Sequence, residues 1–329
     1  MKVGIIGCGL VGQKRAAALS SHELVICADL SLARAVELAG RYTGARATAD
    51  PSEVLSEASV EAVIIATPHD QLARTAAAAI AAGKHVLIEK PGGRTSAEVA
   101  PLIDSANLRG VVAKVGFNHR FHPALRQAWQ IMNDGGIGDL LYIRARYGHG
   151  GRPGYEREWR ADPLISGGGE LLDQGSHLID LSRWFAGEVL EPAGHVATFF
   201  WPMPVEDNAF VCLRMDSGVI AWLHASWTEW KNMFSFEVFG RTGKLQVDGL
   251  GGSYGVETLT HYRMLPELGP PDTSTWTFAG EDQSWHDEFA HFVECVRLGT
   301  PPSGSLSDAL GSLRVVEQLY RANGRDYHS

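Results

Sequence analysis

The stretch Val3-Gly4-Ile5-Ile6-Gly7-Cys8-Gly9-Leu10-Val11-Gly12 runs from an apolar strand pattern straight into G-x-G-x-x-G, and residues 13–19 continue it in a helical pattern. That order of strand, glycines and helix is the context in which the pattern reads as a dinucleotide cradle. Gly7 is expected to permit the tight turn, Gly9 to let the backbone approach a pyrophosphate, and Gly12 to let the helix lie close on the strand. The helix N-terminus then offers phosphates its free N–H groups and the positive end of its dipole, with Cys8, Leu10 and Val11 completing the loop. Asp29 closes the next apolar run, Leu24-Val25-Ile26-Cys27-Ala28. A carboxylate there accepts hydrogen bonds from ribose hydroxyls and repels a 2′-phosphate, so NAD is expected over NADP. Leu30 is expected to border the same end of the cofactor. Arg34, the nearby cation that would favour the phosphate, falls in a helical stretch and is expected to be solvated.

With 329 residues, 45% of them hydrophobic and 20% charged, the chain exceeds what one core usually serves, and two domains are expected. A formal net charge of −9 argues against nucleic acid or an anionic membrane surface as partner. No apolar run reaches the roughly 18 residues of a membrane span, and a strand pattern stands at the N-terminus in place of a basic and then apolar leader. The expectation is a cytoplasmic protein with a small-molecule partner. Cys8, Cys27, Cys212 and Cys295 show no metal-ligand spacing and read as reduced and structural.

Up to about residue 118, short apolar strands (2–6, 24–28, 62–66, 85–88 and 111–116) alternate with helical patterns, the signature of a doubly wound parallel sheet in an α/β domain. Ser31, Asp50 followed by Pro51, and Ser96 are candidate helix caps. Beyond Gly116 the pattern changes to a helix over 123–133, long strand-like runs over 142–149 and 195–248, and two amphipathic helices over 284–298 and 306–320. Residues 150–169, rich in glycine, proline and charge, read as a mobile loop. Asp216-Ser217-Gly218 joins runs 208–215 and 219–228 as a hairpin, which points to an antiparallel sheet. In the second run, Val219, Leu223 and Trp227 are assigned to one face and Ile220, Trp222 and His224 to the other. Both faces are partly apolar, so a homodimer or homotetramer built on the second sheet is expected.

Three constellations carry candidate chemistry. Lys90, in Glu89-Lys90-Pro91, follows an apolar strand, and in a doubly wound sheet ligands bind beyond the carboxyl ends of strands. A lysine there hydrogen-bonds a substrate hydroxyl or, desolvated beside a cationic nicotinamide, serves as a base. In Gly167-Gly168-Gly169-Glu170-Leu171-Leu172-Asp173-Gln174-Gly175-Ser176-His177-Leu178-Ile179-Asp180, Asp173 and His177 lie four apart and share a face if the segment is helical. Histidine titrates near neutrality and suits proton transfer, with the carboxylate orienting the substrate or raising its basicity. No third ligand stands at a recognisable spacing, so no metal is expected. In Gly116-Phe117-Asn118-His119-Arg120-Phe121-His122-Pro123, Asn118 is a candidate for the nicotinamide end or the substrate, and Arg120 for a substrate contact or an interdomain salt bridge. Tyr155, Trp159 and Arg160 supply aromatic faces and a guanidinium suited to a polyol. Residues 150–169 and 249–255 are expected to shape specificity.

In this order the motifs resemble those of the glucose–fructose oxidoreductase, inositol dehydrogenase and MocA-like (Gfo/Idh/MocA) family, over essentially the full length. The resemblance implies an N-terminal Rossmann domain over 1–118 that binds NAD. It implies an α+β domain over 119–329 with an open, mostly antiparallel sheet that binds substrate and mediates oligomerisation. It further implies that Lys90, Asp173 and His177 line nicotinamide and substrate, and that Thr67, Pro68 and Glu89 border the cofactor. Where the family often has T-P-x-x-x-H, Thr67-Pro68 is followed here by His69 and then Gln71. The expected reaction is hydride transfer between NAD and a secondary hydroxyl of a sugar, nucleotide sugar or inositol, with His177, or Lys90 with it, as the base. Alternatives are an NAD-retaining glycoside-cleaving offshoot and a non-catalytic NAD- or sugar-binding sensor.

Overall fold

A computed structural model describes residues 1–327. The chain forms two compact units: Met1–Asn118 with Trp285–Leu310, and His119–Ser284 with the chain from Gly311 on.

In the first unit, β1 (Lys2–Ile6), β2 (Glu23–Ala28), β3 (Arg46–Thr48), β4 (Ala62–Ile65), β5 (His85–Ile88) and β6 (Ala113–Val115) form a parallel sheet in the order β3-β2-β1-β4-β5-β6. Helices α1 (Leu10–Ala17), α2 (Leu32–Ala39), α3 (Pro51–Ser56), α4 (His69–Ala81) and α5 (Ser96–Arg109) make the crossovers. The strand order reverses direction at β1 and β4, which opens the crevice beyond their carboxyl ends where ligands bind in such sheets. β4 is buried at every residue, as a strand covered on both faces requires.

Local capping departs in part from expectation. Asp50 caps α3 by accepting from Ser52 N at 2.8 Å, with Pro51 at the first helical position. Ser31 occupies the cap position of α2 but makes no side-chain cap bond; its N–H donates to Asp29 Oδ1 at 2.9 Å. Thr95 rather than Ser96 caps α5, its hydroxyl accepting from Glu98 N at 3.2 Å.

In the second unit, α6 (Pro123–Asn133) leads to β7 (Leu140–Gly148), then α7 (Pro163–Ser166) and α8 (Ser176–Ala186). The strands β8 (Val189–Ala197), β9 (Asn208–Met215), β10 (Ile220–Ser226), β11 (Met233–Gly240), β12 (Gly243–Asp248), β13 (Glu257–Arg263) and β14 (Asp272–Phe278) follow. They join β7 in an eight-stranded sheet, β14-β13-β12-β11-β7-β10-β9-β8, antiparallel except for the β7–β10 pair. On β10, Ala221 and Leu223 are buried while Ile220 and Trp222 are exposed, the period-two alternation of a sheet with one covered face.

Residues 150–169, expected as a mobile loop, hold the 3-10 turns Tyr155–Arg157 and Trp159–Ala161 and then α7, whose first turn is capped by Asp162. One expectation is corrected here: residues 119–329 are not one compact unit, and of these 328 and 329 lie outside the described residues. Helix α9 (Ser284–Leu298) puts Phe289 and Phe292 into the same core as Val3, Ile5 and Leu19. Its Glu288 meets Arg15 and Lys114, so burial of apolar area and of charge both hold it there. The division between the units falls inside α10 (Leu306–Ala322).

Candidate active site

The glycine loop has the geometry that a pyrophosphate cradle needs. Gly7 sits at φ +97°, in the left-handed region, where a Cβ would lie 2.4 Å from the Ala66 carbonyl oxygen. A Cβ on Gly12 would lie 1.9 Å from the Gly7 oxygen, so only glycine lets α1 pack this closely. Gly9, by contrast, faces open space. Asp29 Oδ2 accepts from Cys8 N at 2.8 Å, which ties the end of β2 to the loop itself. The Thr67 hydroxyl oxygen is buried without a hydrogen-bond partner in the fold, and the Leu10 and Leu30 side chains, 75% and 89% exposed, are apolar surface beside the cradle. An orphaned hydroxyl, an open Gly9 and an acidic group at the end of β2 fit a bound dinucleotide.

Lys90 is the second residue beyond β5, after Glu89, and is half-buried. Its neighbour Glu89 turns its carboxylate to Arg15 on α1, Oε1 to Nε 2.5 Å. Arg15 Nη1 lies 2.6 Å from Glu288 Oε2, and Glu288 Oε1 lies 3.2 Å from Lys114 Nζ. Two cations and two carboxylates thus share one interior site and cancel in charge, the condition under which buried ions are tolerated. Burial pushes the Glu89 carboxyl up, and Arg15 opposes the shift. Arg15, Lys114 and Glu288 had no signal in the sequence, because their partners are distant along the chain.

In the second unit, a π-helical turn, Leu171–Gly175, precedes α8 and carries Asp173; His177 lies in the first turn of α8. Both are buried. Asp173 Oδ2 accepts from Arg160 Nε at 3.0 Å, and the Arg160 guanidinium lies 4.5 Å from the Trp159 ring centroid. His177 stacks on His119, with 3.7 Å between ring centroids and 21° between planes. Tyr147 lies 5.2 Å from His119 and 6.1 Å from His177. Tyr254 closes the cluster, its hydroxyl 3.0 Å from Gln174 Nε2 and its ring 5.0 Å from that of Tyr147. Burial, then Tyr254, Asp173 and Glu170, push Tyr147 far above its ordinary value, and Tyr254 is pushed up to about 12, so both phenols stay protonated at neutral pH.

The turn that carries Asp173 is anchored from below by Glu206. Its carboxylate accepts from Gly169 N at 3.1 Å, Leu171 N at 3.0 Å, Tyr320 OH at 2.7 Å and Tyr327 OH at 3.0 Å. Gly169 is required by the approach: a Cβ there would lie 2.0 Å from the Glu206 carbonyl oxygen.

A family model described as the NAD-binding Rossmann fold of an oxidoreductase family matches residues 1–117, and one for the GFO/IDH/MocA C-terminal domain matches residues 125–246. Trans-1,2-dihydrobenzene-1,2-diol dehydrogenase of Mus musculus is 32% identical over 234 residues, 69% of this chain and 68% of its own. The chain belongs to the GFO/IDH/MocA oxidoreductase family. Scyllo-inositol 2-dehydrogenase (NAD(+)) of Bacillus subtilis is 27% identical over 96% of the chain and 92% of its own length. A solved levoglucosan dehydrogenase in complex with NADH and levoglucosan superposes with a TM-score of 0.90 at 22% identity, covering 98% of this chain and 97% of that one, which establishes the shared fold. This GFO/IDH/MocA protein is accordingly an NAD-dependent oxidoreductase with an α/β Rossmann unit and a mostly antiparallel second sheet.

Within this oxidoreductase, Arg120 and Tyr155, read as ligand contacts, pack against partners inside the second unit, and Asn118 lies in a buried turn. Arg120 grips Asp180 through Nε and Nη2 at 2.8 and 2.6 Å, both residues buried in the second unit, so this ion pair is not an interdomain bridge. Tyr155 is buried, its ring 5.1 Å from Trp227 and 5.5 Å from His149 in an aromatic core contact. Asn118 is buried in the 3-10 turn Asn118–Phe121, whose His119 carries the stack on His177. Among the described residues, no group of three or more His, Cys, Asp or Glu has the arrangement of a metal site, and no helix is long and apolar enough to cross a membrane.

Proposed function

We propose that this oxidoreductase transfers a hydride between NAD and a secondary hydroxyl of a sugar, nucleotide sugar or inositol. The observation that carries the reading is the second unit's cluster: a buried carboxylate, Asp173, and a buried imidazole, His177, among the phenols of Tyr147 and Tyr254, all of them groups that bond hydroxyls. The relatives named above act on an inositol and on a dihydrodiol, both of which carry secondary hydroxyls. NAD, when bound, accepts or returns the carbinol hydride at nicotinamide C4. Gly7, Cys8, Gly9, Leu10, Val11 and Gly12 hold its pyrophosphate, and Asp29 with Leu30 holds the adenosine end. Thr67, Pro68, Glu89 and Asn118 border it.

His177 or Lys90 takes the hydroxyl proton, and Asp173, held by Arg160, orients the hydroxyl and supports the imidazolium that results. Trp159 and Arg160 contribute to substrate binding. Sugars, inositols and nucleotide sugars presented with NAD and with NADP, followed at the NADH absorbance, test the reading; no turnover across the three classes contradicts it.

The exposed face of the second sheet carries Tyr142, Ile220 and Trp222, with Ile220 opposite Tyr142 in register. A surface of this apolarity supports a homodimer or homotetramer through that sheet. Sedimentation giving a monomer at micromolar concentration contradicts it. The four free cysteines suit the reducing cytoplasm, to which we assign the protein.

A further inference from the structure

We propose that the cavity between residues 231–234 and the turn 248–256 is a subsite for a second sugar ring, so that the substrate is a glycoside whose reacting ring is handled by Asp173 and His177. The proposal deepens the reading of those two residues given above and rests on it.

The cavity, about 720 Å³, is lined by Lys231, Asn232, Phe234, Asp248, Ser253 and Tyr254, among others. It shares two walls with the cluster around His177. The Tyr254 hydroxyl accepts from Nε2 of Gln174, the residue that follows Asp173, and its ring lies 5.0 Å from that of Tyr147. Phe234 lies 5.4 Å from Tyr147 and 5.9 Å from His119. In the proposed complex a substrate handled by Asp173 and His177 extends past Tyr254, the half-buried residue common to the cluster and the cavity lining, into this cavity. A volume of this order accommodates ligands well beyond one small ring.

The lining matches a sugar ring in kind. Tyr254, half-buried, offers aromatic surface for the apolar C–H side of a pyranose, Phe234 backs the wall from the core, and an amide, a hydroxyl, an ammonium and a carboxylate offer partners for the hydroxyl rim. One cation against one carboxylate leaves the lining without net charge, so it lacks the Arg and Lys excess that a nucleotide sugar's diphosphate requires. The walls are also joined: Asn232 Nδ2 donates to the Ser253 carbonyl at 3.0 Å. Gly249, Gly251, Gly252 and Gly255 all sit in the left-handed region, which keeps the turn tight and free of side chains that would fill the space.

The test compares glucose, the disaccharides maltose and cellobiose, and UDP-glucose as substrates with NAD, in the wild-type protein and in Ser253→Trp, which fills the cavity. At least one disaccharide is expected to exceed glucose in kcat/KM by about tenfold or more, the size of discrimination that added pocket contacts supply. Ser253→Trp is expected to remove that advantage while leaving kcat/KM for glucose within about twofold. Equal values for mono- and disaccharide, a preference for UDP-glucose, or an equal loss on both sugars in the variant overturns the subsite. If no sugar reduces NAD, the reaction assigned to Asp173 and His177 falls, and calorimetry on the complex with NADH judges the cavity alone: disaccharide binding abolished by Ser253→Trp upholds it, and absence of binding overturns it.

Discussion

His119 lies flat against His177, 3.7 Å between ring centroids, and the pair comes from two segments almost sixty residues apart, the turn before α6 and the first turn of α8. The stack fixes the plane of the imidazole to which proton transfer is assigned. Stacked aromatic pairs contribute about 0.5–1.5 kcal/mol beyond burial. His119→Ala is therefore expected to lower kcat by about two- to tenfold, and His119→Phe, which keeps a ring there, to recover most of it. Steady-state rates at saturating NAD check this, and equal losses in the two variants contradict it.

Asp29 both faces the cradle and holds it, through Cys8 N at 2.8 Å and Ser31 N at 2.9 Å. Asp29→Ala is expected to reduce the ratio of kcat/KM with NAD to that with NADP by about tenfold or more, about 1.4 kcal/mol. An unchanged ratio counts against the carboxylate as the discriminating group.

Glu288 neutralises Arg15 and Lys114 in an interior with no solvent to replace it. Glu288→Ala leaves those cations unbalanced and is expected to cost about 3–5 kcal/mol of stability. Urea unfolding followed by circular dichroism measures it; a loss below about 1 kcal/mol would show that the network contributes little.

His149 Nδ1 accepts from Gly151 N at 2.9 Å, a bond that a proton on that nitrogen breaks. Burial pushes the imidazole below its ordinary 6.5, Asp173 opposes the shift, and Arg160 and Arg152 add to it. With a depressed folded value, the stability from the neutral ring is present above pH 6.5 and is lost as the pH falls below it. His149→Asn retains an acceptor for Gly151 and does not titrate. Between pH 7 and pH 5 the wild-type Tm is expected to fall further than that of the variant; parallel curves contradict the assignment.

Much of the first unit was legible because its signals are local. Gly7, Gly12 and Asp29 act within one βαβ step, and strand 85–88 coincides with β5. β3 leaves no signal in the sequence, because Arg46-Ala47-Thr48 is too short to show a period. Helix α9 has a readable apolar face, but nothing in an amphipathic pattern says which sheet that face will cover. Spacing alone made Asp173 and His177 an i, i+4 pair on a regular helix, whereas the π-helical turn changes the rotation between them. His119, Tyr147, Glu206 and Tyr254 join the site from distant segments, and one sequence carries no sign of such pairing. His119 and its neighbours stood in a motif already noted, where the second histidine was the available hint.

The most direct measurement is single-turnover NADH formation by His177→Ala and Lys90→Ala alongside NAD binding by calorimetry. Each variant is expected to lose about 10²- to 10⁴-fold in the rate of NADH formation, the range that a positioned acid or base contributes, while its Kd for NAD stays close to that of the wild type. Near-wild-type rates in both would contradict the assignment of the proton-transfer groups.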